Sequence, residues 1–123
     1  MSTPDGYFTS DDQFVDSKNV ILHPSATRTA DGDGSVVFET GQRRTLTLGL
    51  EVTAASGTTP TLDVSVETSL DGVDWFTHGA FAQMTATGDQ AKSFGGLSRF
   101  ARVSWAITGT TPSFTFSVRG EAA

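Results

Sequence analysis

The sequence predicts an all-β domain: an antiparallel β-sandwich or jelly-roll-like barrel of about seven to nine short strands with an extended N-terminal arm. Apolar and polar residues alternate strictly over residues 45–54, which is the period of a strand with one buried face. A similar alternation recurs in residues 100–107 and 113–118. Threonine (19), serine (13) and glycine (13) exceed a third of the 123 residues, whereas lysine occurs twice. That balance is typical of β structure rather than of helices.

Residues 1–18 show no sustained period, so we expect an extended N-terminal arm followed by a single domain over residues 19–123. Four aspartates precede the only base of this segment, Lys18. A disordered terminus is one interpretation. The aromatic residues Tyr7, Phe8 and Phe14 favour another, an arm that binds a partner, because a purely solvating tail does not need them.

Shorter segments provide the remaining predicted strands. They are residues 19–24, residues 36–40, a strand beginning at Trp75 and Phe76, and strands around 79–85 and around 90–94. The first is expected to stop at Pro24, because proline cannot donate to a ladder. Two strands are placed within residues 79–98 because a structureless loop of that length is uncommon in a compact domain.

The long alternating runs predict two antiparallel hairpins. The partners are residues 45–54 with 61–67, and residues 100–107 with 113–118. Each pair flanks a Gly-Thr-Thr-Pro segment that suits a turn, and the two segments form a weak internal repeat. Apolar faces coincide in the second hairpin, and in the first only if the pairing shifts by one residue. The expected core comprises Leu48, Leu50, Val64, Val66, Val103, Trp105, Phe114 and Phe116.

Charge and composition argue against several functions. The net charge of −6 disfavours binding to nucleic acid through its phosphates. No apolar run approaches the roughly 18 residues of a membrane-spanning helix, so no membrane partner is expected. The chain has no cysteine and two histidines, His23 and His78, and no nucleophile motif surrounds any serine. We therefore expect no catalytic centre, no cofactor and no enzyme activity.

The segment Asp-Gly-Asp-Gly-Ser, residues 31–35, resembles the start of a calcium loop. Calcium takes six to eight oxygen ligands, and the EF-hand pattern requires glutamate at the twelfth position. Counted from Asp31, that position is Gln42, which carries no charge. An acidic, glycine-rich turn accounts for these residues, so no metal site is expected.

In the predicted C-terminal hairpin, Arg102 and Arg119 face each other on the outer surface. Like charges directly opposite are unfavourable. Each arginine therefore needs a carboxylate within the chain, such as Glu51 or Glu67, or acidic groups on a neighbouring chain. Trp75 also has two interpretations: it closes one end of the sandwich, or it is a platform on which a sugar stacks.

The run S-x-D-G-x-x-W over residues 69–75 resembles a motif of β-sandwich modules, including discoidin-like carbohydrate-binding domains and many phage structural proteins. With the strand of residues 62–69, Phe81, the run 99–103 and the final Gly-Thr-Thr-Pro segment, it covers about half of the chain. This half resembles the small β-sandwich structural proteins of tailed-bacteriophage virions, in particular head decoration (cement) proteins.

The resemblance implies a non-enzymatic virion protein, assembled in the host cytoplasm, that stabilises the phage head. Its implied partners are the major capsid protein and copies of itself, commonly in a homotrimer. The candidate partner interface comprises Tyr7, Phe8, Phe14, Arg102 and Arg119. Two alternatives remain. One is a carbohydrate-binding module of a tail or surface protein, with Trp75 or Tyr7 stacking on sugar; the other is a tail or head-completion subunit.

Overall fold

The computed structural model describes residues 18–123, which form seven β-strands and no helix. The strands are β1 (Lys18–Arg28), β2 (Gly32–Asp33), β3 (Phe38–Glu39), β4 (Leu46–Ser69), β5 (Phe76–Ala80), β6 (Gly88–Phe94) and β7 (Phe100–Ala122). They pair antiparallel in one sheet that is not closed into a barrel. The predicted all-β antiparallel class is confirmed, and the barrel form is not adopted.

Two long strands, β4 with 24 residues and β7 with 23, are the backbone of the fold. They pair with each other along their whole length, from Leu46 opposite Ala122 to Ser69 opposite Phe100. The predicted hairpins are therefore wrong, because the segments expected to pair are successive parts of one strand. Alternation looks the same in a hairpin and in a single long strand, so the period does not identify the partner.

Each Gly-Thr-Thr-Pro segment lies in the middle of one long strand, where that strand bends. We call the two segments together, residues 57–60 and 109–112, the crossing. Gly57 and Gly109 have φ angles of +114° and +125°. A Cβ on Gly57 would lie 2.8 Å from the carbonyl oxygen of Thr111, and one on Gly109 would lie 3.0 Å from that of Thr59. The internal repeat is therefore a pair of bends packed backbone against backbone.

The bends fold the sheet into two layers. Residues 105 and 116 of β7 would be about 36 Å apart in a straight strand at roughly 3.3 Å per residue. The ring centroids of Trp105 and Phe116 are 5.6 Å apart, so the two halves of β7 face each other. The first layer contains β1, the C-terminal half of β7, the N-terminal half of β4, and β6. The second contains β2, β3, the N-terminal half of β7, the C-terminal half of β4, and β5.

The core lies between these layers. All eight predicted core residues are buried, and Trp105, the most exposed of them, keeps 6% of its surface accessible. Around them pack Val20, Leu22, Leu46, Val52, Leu62, Phe81, Phe94, Leu97, Ala101, Ile107, Val118 and Ala122. The predicted core is confirmed although the predicted strand partners are not, because burial follows from which face a residue occupies.

The edge strand β1 does not stop at Pro24 but continues to Arg28. Its register with β7 is irregular between His23 and Ala26, and the proline lies within this irregularity. A bulge at a sheet edge tolerates a residue without a backbone N–H, which is why the strand can pass through proline.

Other short strands differ in extent from their predictions. The strand expected over residues 36–40 consists only of Phe38–Glu39. The strand expected around 79–85 is wrong: β5 ends at Ala80, and Met84 forms a single bridge to Leu62. The strand expected around 90–94 is confirmed as β6.

Residues 1–17 lie outside the described residues, so the arm and its aromatic residues Tyr7, Phe8 and Phe14 stay predictions. Lys18, expected as the last residue of the arm, is the first residue of β1 and pairs with Ala122.

Candidate interaction surface

The turn between β4 and β5 is held by two side chains. Ser69 Oγ accepts a hydrogen bond from the backbone N–H of Gly72 at 2.8 Å and donates to Asp71 Oδ1 at 3.1 Å. The same Asp71 oxygen accepts from the N–H groups of Val73, at 2.9 Å, and Asp74, at 3.0 Å. These two N–H groups, with Asp74 contributing most, hold the pKa of Asp71 below its usual value. The carboxylate that closes the turn is therefore ionised at neutral pH.

This ordered turn carries an unusual set of exposed side chains. Leu70, Val73 and Phe76 are 72%, 76% and 60% exposed, and we call them the apolar tip. They are three of the five large hydrophobic residues that the described part of the chain exposes. Single exposed apolar residues are ordinary, whereas a group of them is a feature of interaction sites.

Phe100 of β7 and an ion pair next to it lie beside Gly72 of the turn. Gly72 packs on the Phe100 ring, to which a Cβ at this position would come within 3.7 Å. The guanidinium of Arg99 lies 5.1 Å from the centroid of the same ring and forms an ion pair with Glu39 at 3.0 Å. An apolar centre with a polar rim is the usual arrangement of protein–protein interfaces.

Arg102 is held within the chain. Its Nε donates to Glu67 at 2.8 Å, its terminal nitrogen lies 3.6 Å from Asp33, and its guanidinium lies 4.3 Å from the centroid of the half-buried Trp75 ring. Arg102 therefore links Trp75, which directly precedes β5, to Glu67 of β4 and Asp33 of β2. It also covers one face of the tryptophan that was considered as a sugar platform.

The predicted juxtaposition of Arg102 and Arg119 is wrong. It depended on the C-terminal hairpin, whereas Arg102 lies opposite Glu67 in β4 and Arg119 lies opposite Gly49. The two arginines are consequently on different layers of the sheet. Arg119 is 67% exposed on the outer side of the first layer, and its nearest carboxylate, Glu51, is 3.8 Å away. A shallow depression of about 470 Å³ lies beside it, floored by Gly49 and Ala91.

The residues considered as metal ligands or catalytic groups form hydrogen bonds or ion pairs within the chain. Asp31 accepts a hydrogen bond from the N–H of Ile107 at 2.8 Å, and Asp33 approaches Arg102. His78 Nε2 lies 2.7 Å from the carbonyl oxygen of Gly95, and the Ser69 hydroxyl bonds within the turn. Within residues 18–123 no group of three or more histidine, aspartate or glutamate side chains is arranged to hold a metal ion. The same residues contain no helix long and apolar enough to cross a membrane.

Sequence reasoning identified the turn but missed the apolar tip. The Ser69–Trp75 motif predicts the turn and a structural or sugar-binding tryptophan, but it assigns no role to Leu70 and Val73. A signal was available, because Leu70 and Val73 flank an Asp-Gly turn, where residues usually face water and are polar.

The fold is similar to that of the SPBc2 prophage-derived protein YomS. The crystal structure of that protein matches with a TM-score of 0.52 at 17% sequence identity, over 87% of this chain and 92% of the other. No protein-family model matches the sequence, and no curated protein is significantly similar to it. At this identity the likeness shows a shared fold, one that a prophage-derived protein also uses.

Proposed function

We propose that this chain is a non-enzymatic structural protein of a tailed-phage particle, and specifically a decoration protein that binds and stabilises the capsid lattice. The observation that carries the proposal is the shared fold with a prophage-derived protein over nearly the full length of both chains. The phage-type resemblance of residues 62–123, found independently in the sequence, supports the same class.

In this proposal the apolar tip docks on the major capsid protein. Its turn is already fixed by backbone N–H groups that donate to the side-chain oxygens of Ser69 and Asp71, so binding sacrifices little conformational entropy of the loop. Its three large apolar side chains are exposed within seven residues of the chain, and apolar area of this kind is what a partner could cover.

The apolar tip is too small to act alone. A standard interface buries about 800 Å² on each partner, more than three side chains provide. We propose that the arm supplies the rest through Tyr7, Phe8 and Phe14, and that Arg119 meets acidic groups of a neighbouring copy in a homotrimer. Arg102 contributes from inside the chain, because its guanidinium packs on Trp75, the residue before Phe76.

The test is the location and copy number of the chain in purified phage particles. Particles from an induced source strain are separated into heads and tails, and the chain is quantified against the major capsid protein by mass spectrometry. A decoration protein is expected on heads in numbers comparable to the capsid protein. A few copies per particle, found with tails or at the head–tail junction, would assign the chain to a tail or head-completion role. Absence from particles would overturn the structural assignment.

A further inference from the structure

His23 is a buried residue of the edge strand β1, and both nitrogens of its ring are in use. Only 1% of its surface is accessible. Nε2 accepts a hydrogen bond from Nε of Arg28 at 3.1 Å, so the ring proton is on Nδ1. Nδ1 in turn donates to the carbonyl oxygen of Phe116 at 3.1 Å. A neutral imidazole therefore satisfies the hydrogen bonds of both ring nitrogens.

The ring of His23 joins β1 to both halves of β7. It stacks on Phe116 of the first layer, with centroids 4.2 Å apart and planes 9° from parallel. It meets Trp105 of the second layer edge-on at 4.9 Å. Arg28 completes the cluster, because its guanidinium lies 4.9 Å from the centroid of Trp105. His23 of β1 thus contacts both halves of β7, at the interface between the two layers.

A second proton on the imidazole would disrupt this arrangement. It would occupy Nε2, remove the acceptor that Arg28 uses, and set a buried imidazolium against a guanidinium. Burial first, and the charge of Arg28 second, lower the pKa of His23 from its ordinary 6.5, although the bond to the Phe116 carbonyl acts in the opposite direction.

The other charged groups around this cluster each have a bonding partner elsewhere in the chain. On the outer side, Glu51 of β4 and Arg119 of β7 line the same shallow depression as His23 and lie 3.8 Å from each other. Asp31 and Asp33, in the segment after β1, line a depression with Arg28, but they bond to the Ile107 N–H and to Arg102.

We propose that His23 is the latch of a pH-sensitive switch, in which the neutral ring holds β1 against β7 and the protonated ring releases that strand. Among the described residues β1 pairs only with β7, so it can open without breaking the β4–β7 ladder. Val20 and Leu22 of β1 also pack in the core, so the latch acts together with these apolar contacts. This inference is independent of the proposed function, since it concerns how the fold responds to acid.

The sign of the effect follows from proton linkage. In the released strand His23 titrates near 6.5, and in the latched strand it titrates lower. Between these two values only the released form binds the proton, so the opening equilibrium rises by about tenfold for each unit by which the pH falls. Below the pKa of the latched form the effect levels off.

The experiment follows amide hydrogen exchange and the imidazole resonances of the full chain by NMR between pH 7.5 and about 4.5. Exchange of the bonded β1 amides, corrected for intrinsic rates, is expected to accelerate relative to that of the β4 amides once the pH falls below 6.5. Titration of His23 at 6.5 or above, or β1 and β4 exchange that stay in constant ratio, would overturn the proposal.

Three variants separate a titrating latch from a residue that only packs. His23→Gln is expected to abolish the pH-dependent part of β1 exchange, and the matched change His78→Gln at the exposed histidine is expected to leave it intact. Arg28→Met keeps an apolar stem over Trp105 and is expected to raise the pKa of His23 and shrink the pH-dependent range. Arg28→Met remains informative if His23→Gln does not fold. A pH response that survives His23→Gln, or a uniform shift at every pH in Arg28→Met, would refute the latch.

Discussion

The crossing and the turn between β4 and β5 are both glycine-containing polar segments, yet they have opposite roles. At the crossing, Gly57 and Gly109 let two backbones touch, and the neighbouring threonines and prolines carry no charge. At the turn, Gly72 reverses the chain, and the residues around it present large apolar side chains to solvent. One segment brings the layers of the core together, while the other leaves three large apolar side chains exposed to solvent.

This difference teaches that a turn-like sequence predicts a change in chain direction but not its consequence. At the β4–β5 turn the chain reverses and pairs with itself, since Thr68 lies opposite Phe76. At the crossing each strand bends while keeping its distant partner, because β4 and β7 continue to pair on both sides. Substitutions at the crossing should therefore lower the free energy of unfolding, whereas substitutions of the exposed side chains at the turn should leave it nearly unchanged.

The largest effect is expected at the contact that the crossing creates. Trp105→Ala removes a buried ring that meets Phe116 across the bend and donates a hydrogen bond to the carbonyl of Ala30 at 3.0 Å. Truncating such an aromatic residue is expected to lower the free energy of unfolding by about 3–5 kcal/mol. Urea denaturation followed by circular dichroism measures it. A loss below about 1 kcal/mol would mean that the two halves of β7 do not pack as described.

A somewhat smaller loss is expected from Gly57→Ala. The new Cβ would lie 2.8 Å from a backbone oxygen at a φ of +114°, so overlap and strain both contribute, together about 3 kcal/mol. Gly41→Ala is the matched control, because its φ is +58° and nothing lies within 4 Å of its Cβ. Denaturation midpoints of the two variants should differ clearly in favour of Gly41→Ala. Equal midpoints would show that the crossing is loosely packed.

The smallest effect on stability is expected at the apolar tip. Leu70→Ser with Val73→Ser exchanges exposed side chains and leaves the hydrogen bonds of Ser69 and Asp71 in place. The free energy of unfolding should change by less than about 0.5 kcal/mol, as for most surface substitutions. A large loss in the same denaturation assay would assign these residues to the core and remove the argument that they serve a partner.

The face on which each strand residue lies could be predicted, because period-2 alternation records burial directly. Trp105 and Val64 were expected in the core and are buried opposite each other. The partner of each strand could not be predicted from the same signal. Leu62 pairs with Ile107 in β7 rather than with the predicted partner segment, residues 45–54. Only long-range contacts determine that choice.

The backbone turn of the candidate site could be predicted from the sequence, whereas the exposure of the side chains around it could not be predicted in full. The Asp71-Gly72 turn follows from local chemistry, since an aspartate side chain caps the N–H groups that follow it. Glu67 and Glu51, expected from the sequence as carboxylates for the two arginines, are confirmed as partners of Arg102 and Arg119. Only the register that set the two arginines opposite each other was wrong. Exposure of Phe76, the first residue of β5, depends on what packs beside the strand, and no local pattern encodes that.

The most direct test of the account is binding of the apolar-tip variant to phage heads assembled without this chain. Leu70→Ser with Val73→Ser is expected to bind at least about tenfold more weakly than the unaltered chain, as for loss of about 1.4 kcal/mol from a central contact. Val37→Ser removes another exposed apolar residue, outside the turn, and is expected to bind normally. Equal binding of all three proteins to the heads would contradict the claim that the apolar tip is the docking surface.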